Sequence, residues 1–258
     1  MRRFLTISFF ACCLLSPISA IGQHAHSDLE FEYDSLGTPT KFVIESDEFT
    51  SDGFLFFEGE FADGDPAPGN QLEADDPGFA THGLRVNPGD QIWLNFLNAS
   101  DHSGFGRGYV TYFDPMTSAL SAAGRIGVID NAGSTLDLLM NGGFLEAGSG
   151  PTRQFLQTAN SFGGIHSHVT FDLLDDDAAP IGAYGVMFEM QSLFNGNTSG
   201  LADLTSEPIW FIFNHGMSDD DFDSIALPAF GVSAIPEPGS AGVLLLTGMA
   251  TLLRRRKR

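Results

Sequence analysis

"GAYGVMFEMQSL", residues 182–193, decides the fold class. Tyr184, Val186, Phe188 and Met190 fall at every second position, the period at which side chains share one face of a β-strand. Downstream, "PIWFIFNHG" (208–216) is apolar almost throughout, as expected of a central strand buried on both faces. Upstream, "HVTFDLLD" (168–175) leads into the turn-like "DDDAAPI". In "VNPGDQIWLNFLN" (86–98) a Pro-Gly turn feeds a strand. Ile92, Leu94 and Phe96 take one of its faces, and Trp93, Asn95 and Leu97 the other.

Further strand patterns lie at 29–35, 41–61, 108–114 and 124–130. Roughly nine strands separated by polar turns predict an antiparallel β-sandwich, as one domain or two small ones, over residues 23–234. Helix is expected only at "STLDLLMNGG" (134–143), apart from the two chain ends. The Pro-, Gly- and Asp-rich stretch 62–78 reads as a long exposed acidic loop.

Composition supports a folded body. The chain has 43% hydrophobic residues and 24 Phe, enough for a sizeable core, and its 30 Gly and 13 Pro suit many turns. The net charge of −21 is unevenly spread. Setting aside Arg2, Arg3, the five C-terminal cations and Glu237 leaves 5 Lys and Arg against 32 Asp and Glu, a net −27 over residues 23–235. Phosphate binding needs clustered cations, so nucleic acid is excluded as a partner of this body. The only cysteines are Cys12 and Cys13, so the body has no disulfide framework, thiolate metal site or cysteine nucleophile.

The two ends read as addresses. In "MRRFLTISFFACCLLSPISAIGQ", two arginines precede an apolar run and then small residues, the order of a cleaved signal peptide spanning 1–22, cut after Ala20 or Gly22. The run falls short of the roughly 20 residues that span a bilayer. The other end, 235–258, carries Pro236-Glu237-Pro238, a short apolar run expected to be helical, and the basic cluster Arg254, Arg255, Arg256, Lys257 and Arg258. The cluster should stay on the cytoplasmic side while the run inserts transiently in the membrane.

These three parts together resemble the PEP-CTERM sorting signal of Gram-negative bacteria. The resemblance covers only the last two dozen or so residues. It implies recognition by an exosortase-type processing enzyme, removal of the tail, and delivery to the cell envelope or extracellular matrix.

Chemistry in the body centres on histidine. His24/His26 and His166/His168 each have the H-x-H spacing, which on a strand points two imidazoles the same way, toward one metal ion. The second pair opens a strand, at an expected sandwich rim. An N-terminal arm carrying the first pair could fold onto it, giving an all-nitrogen site for zinc, copper or nickel. The stretches "GQHAHSDLEFEY" and "GGIHSHVTFDLLDDDAAPIGAYGVMFEM" also resemble H-x-H-containing surface-anchored bacterial proteins linked with metal supply, matching at His24, His26, His166, His168, Gly182 and Tyr184. That resemblance implies zinc.

The acidic runs 175–177 and 218–224 are calcium candidates, although neither spells an EF-hand. No G-x-S-x-G elbow or P-loop is present, so the expectation is a non-enzymatic exported protein with a structural or adhesive role, with an exopolysaccharide matrix as one setting for it. Two alternatives stand beside it. One is a zinc-binding surface protein; the other is a secreted carbohydrate-binding or hydrolytic domain using Trp93 or Trp210 as a stacking platform.

Overall fold

A computed structural model describes residues 28–45, 49–63, 72–74, 78–81, 85–130, 144–146, 148, 153–173 and 179–232. The signal segment, His24, His26, residues 134–143, the run 175–177 and the tail with Pro236, Glu237, Pro238 and Arg254 to Arg258 lie outside these. Strands take 48% of the described residues and helix 9%, so the chain is mostly β.

The described strands form three sheets. The first runs β13 (His166–Ser167), β6 (Phe79–Thr81), β1 (Leu29–Tyr33) and β2 (Phe42–Glu45). The second runs β11 (Phe144–Glu146), β10 (Arg125–Asp130), β14 (Val169–Leu173), β5 (Leu72–Ala74) and β4 (Ala62–Asp63). The third has a main path of β12 (Gln154–Thr158), β7 (Gln91–Leu97), β15 (Gly182–Leu193), β17 (Ile209–His215) and β3 (Leu55–Glu60). Beside that path, β8 (Val110–Asp114) and β16 (Leu204–Thr205) pair with β15, and β9 (Ala119–Ala122) pairs with β8.

Strand β15 is long because it serves several partners. One flank pairs β8 at Ala183–Val186 and then β7 from Met187 to Leu193. The other flank pairs β17 and then β16.

The alternation read at 182–193 sorts into two cores. Tyr184, Val186, Phe188 and Met190 join Ile92, Leu94, Phe96, Phe211 and Phe213 in a cluster that also contains Leu29, Phe31 and Phe79 of the first sheet and Val128 and Phe171 of the second. Phe211 is its hub, with aromatic contacts to Phe57, Phe79, Phe171, Phe188 and Phe213. On the opposite face, Ala183, Met187, Trp210 and Ile212 pack beneath Phe222, Ala226, Leu227 and Phe230 of a helical segment at 219–229. Gly185 permits this cover, since a Cβ there would lie 2.5 Å from Phe230 Cε1 and 2.8 Å from Trp210 Cζ3.

Several expectations need correcting. The pairing is not purely antiparallel: β1–β6 and β17–β3 are parallel, each joined by a connection far longer than a hairpin. Strands β4, β5, β6, β9, β11, β12 and β16 escaped the sequence reading because they are short or lie in polar, Gly-rich surroundings. The stretch 62–78 is not wholly an exposed loop, because β4 and β5 pair within it and Ala74 is buried. Residues 218–224, the second calcium candidate, lie at a helix start. Ser218 Oγ accepts from the Asp221 N–H at 3.2 Å, and Asp219, Asp220 and Asp221 fill the first turn, where acids complement the helix dipole.

Behind the Asn87-Pro88-Gly89-Asp90 turn lies a buried polar knot. The Asp90 carboxylate accepts from the Tyr33 hydroxyl at 3.0 Å and from the Asn195 N–H at 2.8 Å, and Ser192 Oγ lies 2.5 Å from the same hydroxyl. Burial, reinforced by the Asp90 charge, holds the Tyr33 phenol well above the ordinary tyrosine value; burial also holds Tyr184 well above it and raises Tyr112.

An unfolded tyrosine loses its proton near pH ~10, whereas these three keep theirs to higher pH when folded. Their contribution is therefore full below pH ~10 and is lost as pH rises through the folded values. Melting temperatures followed from roughly pH 8 to 11 should fall steeply near the top of that range. Tyr33→Phe should flatten the fall, and an identical slope in the variant would count against the assignment.

Candidate metal centre

The site is set by strand register. Leu29 pairs with Phe79 in the parallel β1–β6 ladder, and Ser167 pairs with Phe79 from the other side in the antiparallel β13–β6 ladder. All three are buried. Alternation then turns Asp28, Gly78, His166 and His168 to the opposite face, which is the solvent side of the first sheet. His168 sits where the chain leaves β13 for β14, passing from the first sheet into the second. The pair thus sits at the edge strand of the first sheet, at that handover.

One ligand atom each from Asp28, His166 and His168 lie within 4.8 Å of one another. His166 Nε2 is 3.3 Å from His168 Nε2 and 3.3 Å from Asp28 Oδ2. The two rings stand nearly edge to face, with centroids 5.1 Å apart and planes at 72°. Donors about 2.0–2.1 Å from a tetrahedral zinc ion are roughly 3.3–3.4 Å from each other, so both short separations match an edge of such a site. Two imidazoles and one carboxylate also form a donor set that suits zinc better than calcium or magnesium, which favour oxygen.

The cluster contributes little to stability by itself. The His166 side chain is 68% exposed and that of Asp28 27%, and an exposed ion pair is worth about 0–1 kcal/mol. Without an ion, the two nitrogens share a hydrogen bond only when one of them is unprotonated.

The two histidines were legible from their spacing, but Asp28 was missed. Its signal was present in "HAHSD", where the acid follows His26 at the same two-residue period. Gly78 was missed too. The other ligands expected from sequence, His24 and His26, lie outside the described residues.

The two candidate aromatic platforms differ in exposure, since Trp93 is half-buried and Trp210 is not accessible. Trp210 is fully buried against Phe230, and the Trp93 ring already carries the Arg153 guanidinium 4.7 Å from its centroid. Among the described residues, no helix is long and apolar enough to cross a membrane. Comparison with protein-family models, with curated proteins and with solved structures gave no match.

Proposed function

We propose that this is an exported cell-envelope or matrix protein whose body binds a divalent transition-metal ion, zinc in the first instance, at Asp28, His166 and His168. One observation carries the reading: two imidazole nitrogens and a carboxylate oxygen from distant parts of the chain converge at zinc-like spacing. His24 and His26 are further proposed ligands. They precede Asp28 by four and two residues, and two residues span at most about 7 Å, so connectivity keeps His26 within reach.

The body is read as a β-sandwich, with the eight-stranded sheet as one layer and the two smaller sheets as the other. Its support is the shared aromatic core, in which Phe79 and Phe171 from the smaller sheets both meet Phe211. The structural or adhesive role expected from composition is kept as the setting in which the metal acts, and the body itself is read as non-enzymatic.

The address rests on the two chain ends. The N-terminal segment directs export, and the tail inserts transiently for processing by an exosortase-type enzyme. Intact-mass analysis of the exported protein should show loss of Arg254 to Arg258, and their retention would refute the processing claim.

For the body, the full chain stripped of metal and then dialysed against zinc should retain about one ion per chain, as a three-donor zinc site requires. The His166→Ala/His168→Ala variant should retain none. Equal zinc content in the two proteins would reject the site.

A further inference from the structure

We infer that Gly78 is the positioning residue of the metal site, and that metal binding there fastens strand β1 to β13 across β6. The inference rests on the zinc reading above and adds a conformational consequence to it. One step beyond the paired residues, Asp28 and His168 flank Gly78 on its two sides. Strands two apart in a sheet are separated by roughly 9.5 Å, a gap that a side chain on the middle strand normally fills. Here the ligands fill it. A Cβ on Gly78 would lie 2.7 Å from Asp28 Oδ1, 2.7 Å from His168 Cε1 and 2.8 Å from His168 Nδ1.

The Gly78 backbone does not lie in the left-handed region, so alanine meets no conformational penalty there. The obstacle is the two ligands themselves. Gly78→Ala therefore separates ligand approach from backbone strain, which few glycine substitutions do.

The ligands also sit at the ends of short ladders. The parallel β1–β6 ladder pairs only three residues, and β13 is a two-residue strand pairing β6 at two positions. Ladder ends fray without global unfolding. An ion held jointly by Asp28 and the histidines must be released, or lose a ligand, before β1 can leave β6. Loading the site therefore suppresses that opening.

The test uses the full chain, metal-free and zinc-loaded. Hydrogen exchange is followed at Leu29, whose N–H donates to Gly78 O, and at Phe31 and Tyr33 in the same strand. With free zinc at 100 times Kd, Leu29 protection should rise by up to about 100-fold, since opening must now compete with binding. Gly78→Ala should weaken zinc binding by more than the roughly 10–100-fold that loss of an outer-shell partner costs, while its metal-free melting temperature stays close to that of the parent.

Two results would overturn the inference and leave the zinc site standing. One is zinc binding with unchanged exchange in β1; the other is full zinc affinity in Gly78→Ala. Absence of zinc binding to the parent chain would overturn both. If Gly78→Ala does not fold, the exchange measurement on the parent chain decides alone.

Discussion

Replacing Phe211 with alanine is expected to cost about 3–5 kcal/mol, at the upper end of what truncating one core side chain costs. The expectation follows from its position. Phe211 is fully buried on β17 and meets the rings of Phe57, Phe79, Phe171, Phe188 and Phe213. These five come from all three sheets, so no single element can move inward to fill the space. Truncation removes the apolar transfer gain and leaves a cavity that the pleated backbone cannot close.

At about 2–4 °C per kcal/mol for a chain of this size, the melting temperature should fall by roughly 6–20 °C. Phe162 supplies the contrast. It is 72% exposed, and its alanine variant should stay within about 0.5 kcal/mol of the parent. Urea denaturation of both variants checks the pair. A loss below about 1 kcal/mol for Phe211→Ala would mean that the three sheets do not share one core, given the usual cost of emptying such a site.

Zinc is expected to produce the second large effect. An ion that binds the folded chain alone stabilises it by RT ln(1 + [L]/Kd), about 2.7 kcal/mol at 100 times Kd. That corresponds to a rise in melting temperature of roughly 5–11 °C. Asp28→Ala should abolish most of this rise. Asp28→Asn should weaken it as well, because a neutral amide is a poorer zinc ligand than a carboxylate. The pairing of Asp28 with His166 is too exposed for either substitution to lower metal-free stability by much. Calcium at millimolar concentration should give no comparable shift, since the nitrogen donors do not suit it and the acids at 219–221 serve a helix start. A calcium shift matching that of zinc would move the binding site from the histidines to the acidic surface.

Much of the central sheet was legible because its strands are long and their patterns strict. The reading of 182–193 matches β15 residue for residue, and 208–216 contains β17. The Pro88-Gly89 turn closes as expected, with the Asp90 N–H donating to Asn87 O at 3.2 Å. What escaped had local signals weaker than its tertiary causes. Strand β5 has three residues and exists because β4 and β14 flank it. The helical segment at 219–229 announced itself only through Ser218 and the acid three residues on, a capping pattern inside what reads as an acidic run.

The metal site divides the same way. The H-x-H spacing at His166 and His168 was visible because the two ligands are two residues apart in one extended stretch of chain. Asp28 and Gly78 immediately precede β1 and β6, and their alignment depends on a parallel pairing between those strands that no local pattern reveals.

The central claim is a zinc ion held by Asp28, His166 and His168. Crystals of the zinc-loaded chain, measured on both sides of the zinc absorption edge, test it most directly. The expected result is an anomalous peak about 2.0–2.1 Å from Nε2 of His166 and of His168, and about 2.0–2.2 Å from an Asp28 carboxylate oxygen. A map with no peak between these three side chains, or with its strongest peak at the acids 219–223, would contradict it.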